Sequence, residues 1–295
     1  MNDATSRFRD AMSAVGLEPP DIIEPGKLYR FPGIGKRNGN TAGWCKLFDD
    51  GLGGCFGDWS SALSETWQAR RDRPFSTVER EAFRRHVAAV RVQADAEREM
   101  RQAHAAAKAR AIWKSAQPAP ADHPYLVRKG IQPHGARIHH GALILPVEDF
   151  TGALTSLQFI ATDGSKRLLC GGRKRGCFIR VTGSMPVASR VILCEGWATG
   201  CTLAENGPTA LVLAGIDAGN LQPVAVAIRV RWPNAELVIA GDDDRLRLGN
   251  PGATQAQAAA VAAGALLALP RWPTGAPMDL TDFNDLAVWL TGGES

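Results

Sequence analysis

Apolar and polar positions change regime along this chain. In the last third, short apolar runs end abruptly at acidic residues: Val191-Ile192-Leu193-Cys194 stops at Glu195-Gly196, and Leu237-Val238-Ile239-Ala240-Gly241 stops at Asp242-Asp243-Asp244. Continuous runs of this length, rich in β-branched residues, suit strands covered on both faces, as in a parallel sheet with helices on either side. The alternation predicts strand 191–194, helix 197–206, strand 209–213, a helix near 220–232, strand 236–240, a helix over about 252–264 and a short strand 265–269. Asn250-Pro251 supplies a cap and a first-position proline for the third helix. This is a βαβ pattern with a parallel, Rossmann-like sheet, placing the chain in the α/β class.

Upstream, the period changes. Phe8, Ala11, Met12 and Val15 recur at helical spacing until Pro19-Pro20. Leu28–Phe31, Trp44–Phe48 and Cys55–Trp59 are aromatic runs between Gly, Asn and Asp turns, as in a small antiparallel sheet. Their aromatics suit either a core or a base-stacking surface. Ser76-Thr77-Val78-Glu79 has the capping-box pattern, and an Ala/Arg/Glu-rich stretch follows without Gly or Pro until Pro118. It predicts one long helix, or two with a bend, acting as a spacer or cover, with His86 and His104 facing solvent. Residues 141–147 and 154–160 flank Asp149-Phe150-Thr151-Gly152 as a hairpin. The expected organisation is a β-rich module over 1–70, a helical linker over 71–117, a basic α+β subdomain over 118–189 and the parallel α/β unit over 190–295.

Charge adds to this picture. The overall balance is +4, but Lys and Arg exceed Asp and Glu by 6 over residues 70–114 and by 5 over 115–189, and fall short by 5 over 190–295. A basic middle beside an acidic end points to nucleic acid as a partner, with a solvated basic face as the alternative. The N-terminus carries Asp3 and Asp10 and no apolar run, and no stretch approaches a membrane span, so a cytoplasmic protein without membrane contact is expected. The six cysteines form no CxxC pair, so no zinc is expected, with Cys45 and Cys55 plus His partners as the alternative. No GxxxxGK[ST] loop occurs, and Gly33-Ile34-Gly35-Lys36-Arg37 only imitates one, so any unwinding falls to a separate helicase.

The candidate chemistry sits where the apolar runs stop. Asp242 and Asp244 are two apart, so in an extended segment they point the same way, with Asp243 pointing away, and a neighbouring strand can place Glu195 beside them. Carboxylates crowded in this way repel one another unless a hard cation neutralises them, and oxygen ligands suit Mg²⁺ or Mn²⁺. An Asp-rich turn that caps a helix or lies solvated is the alternative for the triple Asp alone. Thr162–Arg167 and Gly171-Gly172-Arg173-Lys174-Arg175-Gly176 are basic and glycine-rich, suited to holding phosphates or, more plainly, to forming solvated turns.

Glu195-Gly196-Trp197-Ala198-Thr199, the Asp242/Asp244 pair and Asp282-Phe283-Asn284-Asp285 together resemble a toprim domain, in wording closest to the DNA primases of plasmids, phages and integrated elements. The resemblance covers residues 120–290 well and 20–70 loosely. It implies an enzyme that makes short RNA primers from ribonucleoside triphosphates on single-stranded DNA. Glu195, Asp242 and Asp244 would hold the metal, and Lys166, a catalytic candidate as well, would hold template or nucleotide with Arg167, Arg173 and Lys174. Asp282 and Asp285 either cap the last helix or complete the acidic pocket. Thr199 stands where many cellular primases have a further acid. A toprim nuclease and a non-catalytic DNA-binding adaptor are the alternatives. Tyr29 and Tyr125 are the only tyrosines, and neither lies in the toprim segment, which argues against topoisomerase chemistry.

Overall fold

The structure is a computed structural model and describes residues 3–37, 39–61, 63–69, 74–207 and 209–292. The chain divides into two compact units, residues 1–100 and 101–295.

In the first unit, α1 (Asp3–Ala14) sets Phe8 and Met12 one turn apart on its buried face. They pack on a four-stranded antiparallel sheet of β1 (Leu28–Phe31), β2 (Gly43–Leu47), β3 (Gly53–Asp58) and β4 (Leu63–Gln68), in sequence order. Strand alternation sends Cys45, Leu47 and Phe56 to the α1 side and Trp44 and Cys55 to the other, where they meet Val90 and Ala94. Most of these aromatics are therefore core. The zinc alternative for Cys45 and Cys55 is excluded, because the two thiols lie on opposite faces of one sheet, and burial pushes the Cys45 thiol up to about 12.

Residues 77–115 form a single helix, α2 (Thr77–Ser115), begun by the expected reciprocal cap: Ser76 N donates to Glu79 (2.8 Å) and Glu79 N to the Ser76 hydroxyl (3.2 Å). Its first part belongs to the N-terminal unit. Its second part belongs to the larger unit, where Ala109, Ile112, Trp113 and Ala116 cover Ile144, Leu157 and Phe159.

That larger unit holds two sheets. β5 (Gln117–Pro118), β6 (Arg137–His139), β7 (Ala142–Glu148), β8 (Leu154–Ile160) and β9 (Lys166–Leu168) are antiparallel in sequence order, with α3 (Pro124–Lys129) between β5 and β6. The other sheet has the order β10-β12-β11-β13-β14: β10 (Ile179–Thr182), β11 (Arg190–Cys194), β12 (Leu211–Ala214), β13 (Glu236–Ala240) and β14 (Leu266–Ala268). Strands β11 to β14 are parallel, while β10 joins the edge antiparallel. The connections are α4 (Trp197–Asn206), α5 (Leu221–Arg231) and α6 (Pro251–Ala263), and α7 (Phe283–Gly292) closes the fold.

The inner strands β11, β12 and β13 are buried on both faces over most of their length, as the apolar runs require, whereas the edge strand β14 exposes Leu266 and Leu267. Val191, Leu193, Leu211, Leu213, Leu237 and Ile239 face α5 and α6. Ile192, Cys194, Val212, Ala214 and Ala240 face α4 together with Leu143, Leu145, Val147 and Ile160 of the antiparallel sheet. The two sheets thus share one core, and β10, although it precedes residue 190, pairs into the parallel sheet. Among the described residues, no helix is long and apolar enough to cross a membrane.

Candidate metal and nucleotide site

Register brings the acidic residues together. Cys194 at the end of β11 lies level with Ala214 of β12 and Ala240 of β13, so the chain leaves all three strands at the same edge of the sheet. This carboxyl edge is where open α/β sheets gather function. Glu195 leaves there from β11, Asp217 follows β12, and Asp242 and Asp244 follow β13.

Glu195 and Asp244 each accept a nearby backbone N–H, and Asp242 keeps one oxygen without a partner. Glu195 accepts the Ala218 N–H and is raised by burial first, then by Asp217 and Asp244, with Ala218 and Lys166 opposing. Asp242 is pushed up to about 8 by burial, then by Glu195, Asp282 and Asp244, against Lys166. Its Oδ1 is buried without a hydrogen-bond partner. Asp244 accepts the Gly252 N–H (3.0 Å) in the first turn of α6. That helix approaches the acidic turn so closely that a Cβ on Gly252 would stand 2.7 Å from the Asp242 carbonyl oxygen. Asp243 does point elsewhere, accepting from Asn250 Nδ2 (2.6 Å) and Trp272 Nε1 (2.8 Å), so it clamps the turn.

The alternatives for the final acidic string resolve residue by residue. Asp282 caps α7 by accepting the Asp285 N–H (2.8 Å), and its charge also reaches Asp242. Asp285 is engaged by Lys129 (2.9 Å) and the Thr281 N–H (3.1 Å). Burial would raise its carboxyl, but these partners outweigh it and hold Asp285 below the ordinary range. Asn284, buried, donates to the Lys129 carbonyl (2.7 Å) and to Thr202 Oγ1 (2.9 Å), tying α7 to α3 and α4.

The basic candidates separate in the same way. Lys166 and Arg167 are neighbours on β9 and so face opposite ways. Lys166 reaches the carboxylates: its ammonium opposes the raised pKa of both Glu195 and Asp242, and lies 3.9 Å from where a Cβ on Gly196 would stand. Arg167 instead stacks on Phe159 (4.5 Å) on the α2 side of the sheet. Arg173 pairs with Asp149 of the β7–β8 turn, and its carbonyl accepts from Thr155 (3.0 Å), so it braces the loop. Lys174 pairs with Asp217, and Arg175 is exposed.

Asp217 and Asn220 are the residues that the sequence reading missed. Asn220 is 1% exposed; its amide N donates to the carbonyls of Cys177 (2.8 Å), Gly215 (2.9 Å) and Lys174 (3.2 Å), and its Oδ1 accepts the Gly176 N–H (2.9 Å). It fastens the basic loop to the end of β12. An amide in a loop carries no distinctive signal, but the carboxyl-edge rule, applied to β12 as to its neighbours, points to Asp217.

The donor set is made of carboxylate oxygens, with one buried oxygen unpartnered and the mutual repulsion already visible in Asp242. This suits a hard divalent cation. Among the described residues, no three His, Cys, Asp or Glu side chains are grouped so as to hold a metal ion as they stand; Glu195 and Asp242 instead share the charge of Lys166.

A parallel sheet with acidic residues at the carboxyl ends of adjacent strands defines the class, and residues 190–290 match the Toprim domain family. This part of the chain is similar to toprim domains. Over nearly its whole length the chain is similar to proteins named DNA primase TraC from Escherichia coli. One is 34% identical over 292 residues, 91% of this chain and 26% of the relative; another is 30% identical over 279 residues, 89% of this chain and 19% of the relative. The chain therefore spans about a quarter or less of the length of these relatives. Similar solved structures include the primase fragment of the bacteriophage T7 primase-helicase protein (13% identity, TM-score 0.43, 90% of this chain and 96% of that one). The zinc-binding and RNA polymerase domains of Aquifex aeolicus primase are also similar (12% identity, TM-score 0.42, 100% and 84%).

Proposed function

We propose that this protein is a DNA primase of the mobile-element type, joining ribonucleotides into short primers on single-stranded DNA. The observation that carries the reading is the meeting of Lys166, from the antiparallel sheet, with Glu195 and Asp242 at the carboxyl edge of the parallel sheet. Acidic groups alone repel a triphosphate; a basic group brought from a second sheet is what primer synthesis needs in addition.

Glu195, Asp242 and Asp244 would hold Mg²⁺ or Mn²⁺, with Asp282 beside them, and the ion would supply neutralisation of the negative charge on the reacting phosphates. Lys166 binds and orients the phosphates over Glu195 and Asp242, and Lys174 binds the far end of the triphosphate. Burial of Asp242 keeps bulk water from the reacting phosphate. Arg167 and Arg175, exposed on other faces, take template phosphates.

The test uses purified protein, single-stranded DNA, labelled ribonucleotides and Mg²⁺ or Mn²⁺, with products resolved by length. Ribonucleotide-dependent ladders are expected, and Asp244→Asn, Asp242→Asn and Glu195→Gln are each expected to lower synthesis at least a hundredfold, on the order of losing one charged contact to the transition state. Shortened template without ladders overturns the reading in favour of a nuclease. Full synthesis by folded Asp244→Asn overturns the metal assignment.

A further inference from the structure

The turn between β12 and α5, residues 215–220, contacts both Glu195 and the basic loop. Its backbone holds Glu195: the Ile216 N–H donates to the Glu195 carbonyl (2.9 Å) and the Ala218 N–H to the Glu195 carboxylate. Its Asn220 holds the basic loop. Between them, Asp217 forms an ion pair with Lys174, with both side chains still open to solvent at 44% and 29%. The turn is also strained, because Ile216 has φ +80°, which a β-branched residue rarely adopts. Such strain persists only where the surrounding contacts impose it. Here it presents Asp217 outward, between Glu195 and Lys174.

We propose that the Asp217–Lys174 pair makes nucleotide binding depend on prior metal loading. Asp217 occupies Lys174 at the position where an anionic group would be received, so an incoming triphosphate meets a neutralised lysine beside a net negative edge. A divalent cation at Glu195 gives the Asp217 carboxylate a stronger partner of opposite charge within the same turn. Lys174 is then free to take a phosphate oxygen. The backbone need not move, since Asn220 holds the Lys174 carbonyl and the Ile216 N–H is bonded to the Glu195 carbonyl, and only the two charged side-chain ends exchange partners. No bond is made or broken; the exchange is of ion pairs alone.

This inference rests on the reading of Lys174 as a nucleotide contact, and the experiment separates the two. A fluorescent ribonucleoside triphosphate is titrated by anisotropy into the parent protein, Asp217→Asn and Lys174→Ala, without DNA, with and without Mn²⁺; Mn²⁺ binding alone is followed by its paramagnetic resonance signal. The parent should bind nucleotide weakly until Mn²⁺ is present. Asp217→Asn should bind roughly three- to fivefold more tightly than the parent without metal, the worth of an exposed ion pair, and gain less from Mn²⁺. Lys174→Ala should bind weakly in both conditions while retaining Mn²⁺. If Lys174→Ala loses binding but Asp217→Asn behaves as the parent in both conditions, the coupling is overturned and the role of Lys174 stands. If Lys174→Ala binds as the parent, both are overturned. Asp217→Ser, which also removes the charge and keeps a polar turn residue, should reproduce Asp217→Asn.

Discussion

Asp242 concentrates the electrostatics of the site in one side chain. Its folded-state pKa of about 8 lies far above the ordinary carboxylate range, through burial first and then through its acidic neighbours. A carboxyl raised on folding keeps its proton longer in the native state than in the unfolded chain, so stability is greatest at low pH and declines as pH rises. The window runs from roughly pH 4, where an unfolded Asp titrates, to about 8. The metal-free protein should therefore lose melting temperature across that window, and Asp242→Asn should lose less. Saturating Mg²⁺ should flatten the decline, and calorimetry at pH 7 should record proton release on metal binding. A parent melting temperature that rises steadily from pH 5 to pH 8 without metal would contradict this. Asp243, one residue on, behaves differently because both its oxygens are used by Asn250 and Trp272. Asp243→Ala should cost on the order of 2 kcal/mol in urea unfolding through the freed turn.

At the scale of elements, the site depends on two connections rather than on any one strand. One is α6, whose first turn donates the Gly252 N–H to Asp244 and whose Gly252 allows the close approach. The other is the β12–α5 turn, which joins the toprim sheet to the basic loop through Asn220. Asn220→Ala leaves the carbonyls of Cys177 and Gly215 and the N–H of Gly176 without their partner. A stability loss of about 2–4 kcal/mol is expected, since buried polar groups left unsatisfied cost more than the net worth of each bond. The apparent KM for ribonucleotide should rise with it, while Mn²⁺ affinity, which on the proposed reading is set chiefly by the carboxylates that follow β11 and β13, should hold. Equal losses in both would mean that the turn collapses as a whole.

At the scale of the molecule, the helix and the two sheets of residues 101–295 form one cooperative body. The basic subdomain expected over 118–189 shares its core with the toprim segment on one face and is covered by the second part of α2 on the other. A fragment beginning at residue 120 strips Ala109, Ile112, Trp113 and Ala116 from Ile144, Leu157 and Phe159. It should unfold several kcal/mol more easily than one beginning at residue 101, on the order of a large-to-small change in a core. Matching urea midpoints for the two fragments would refute the shared core. If the basic residues of this unit neutralise template phosphates as proposed, single-stranded DNA affinity of the longer fragment should fall steeply with salt through counterion release.

What the sequence determined by itself was local. The apolar runs 191–194 and 236–240, the capping box at Ser76–Glu79, the Asn250-Pro251 helix start and the hairpin around Asp149 all follow from period and turn chemistry within a few residues, and each stands where its pattern places it. The Asp242/Asp244 alternation with Asp243 turned away was legible for the same reason. Tertiary structure decided which basic groups meet the acids. Alternation along β9 separates Lys166 from Arg167 only once it is known which face of that sheet packs on the toprim strands. Asp149 takes Arg173 and Asp217 takes Lys174 from positions 24 and 43 residues away. Partners so distant leave no periodicity in the chain, since they are brought together by strand register and the shared core.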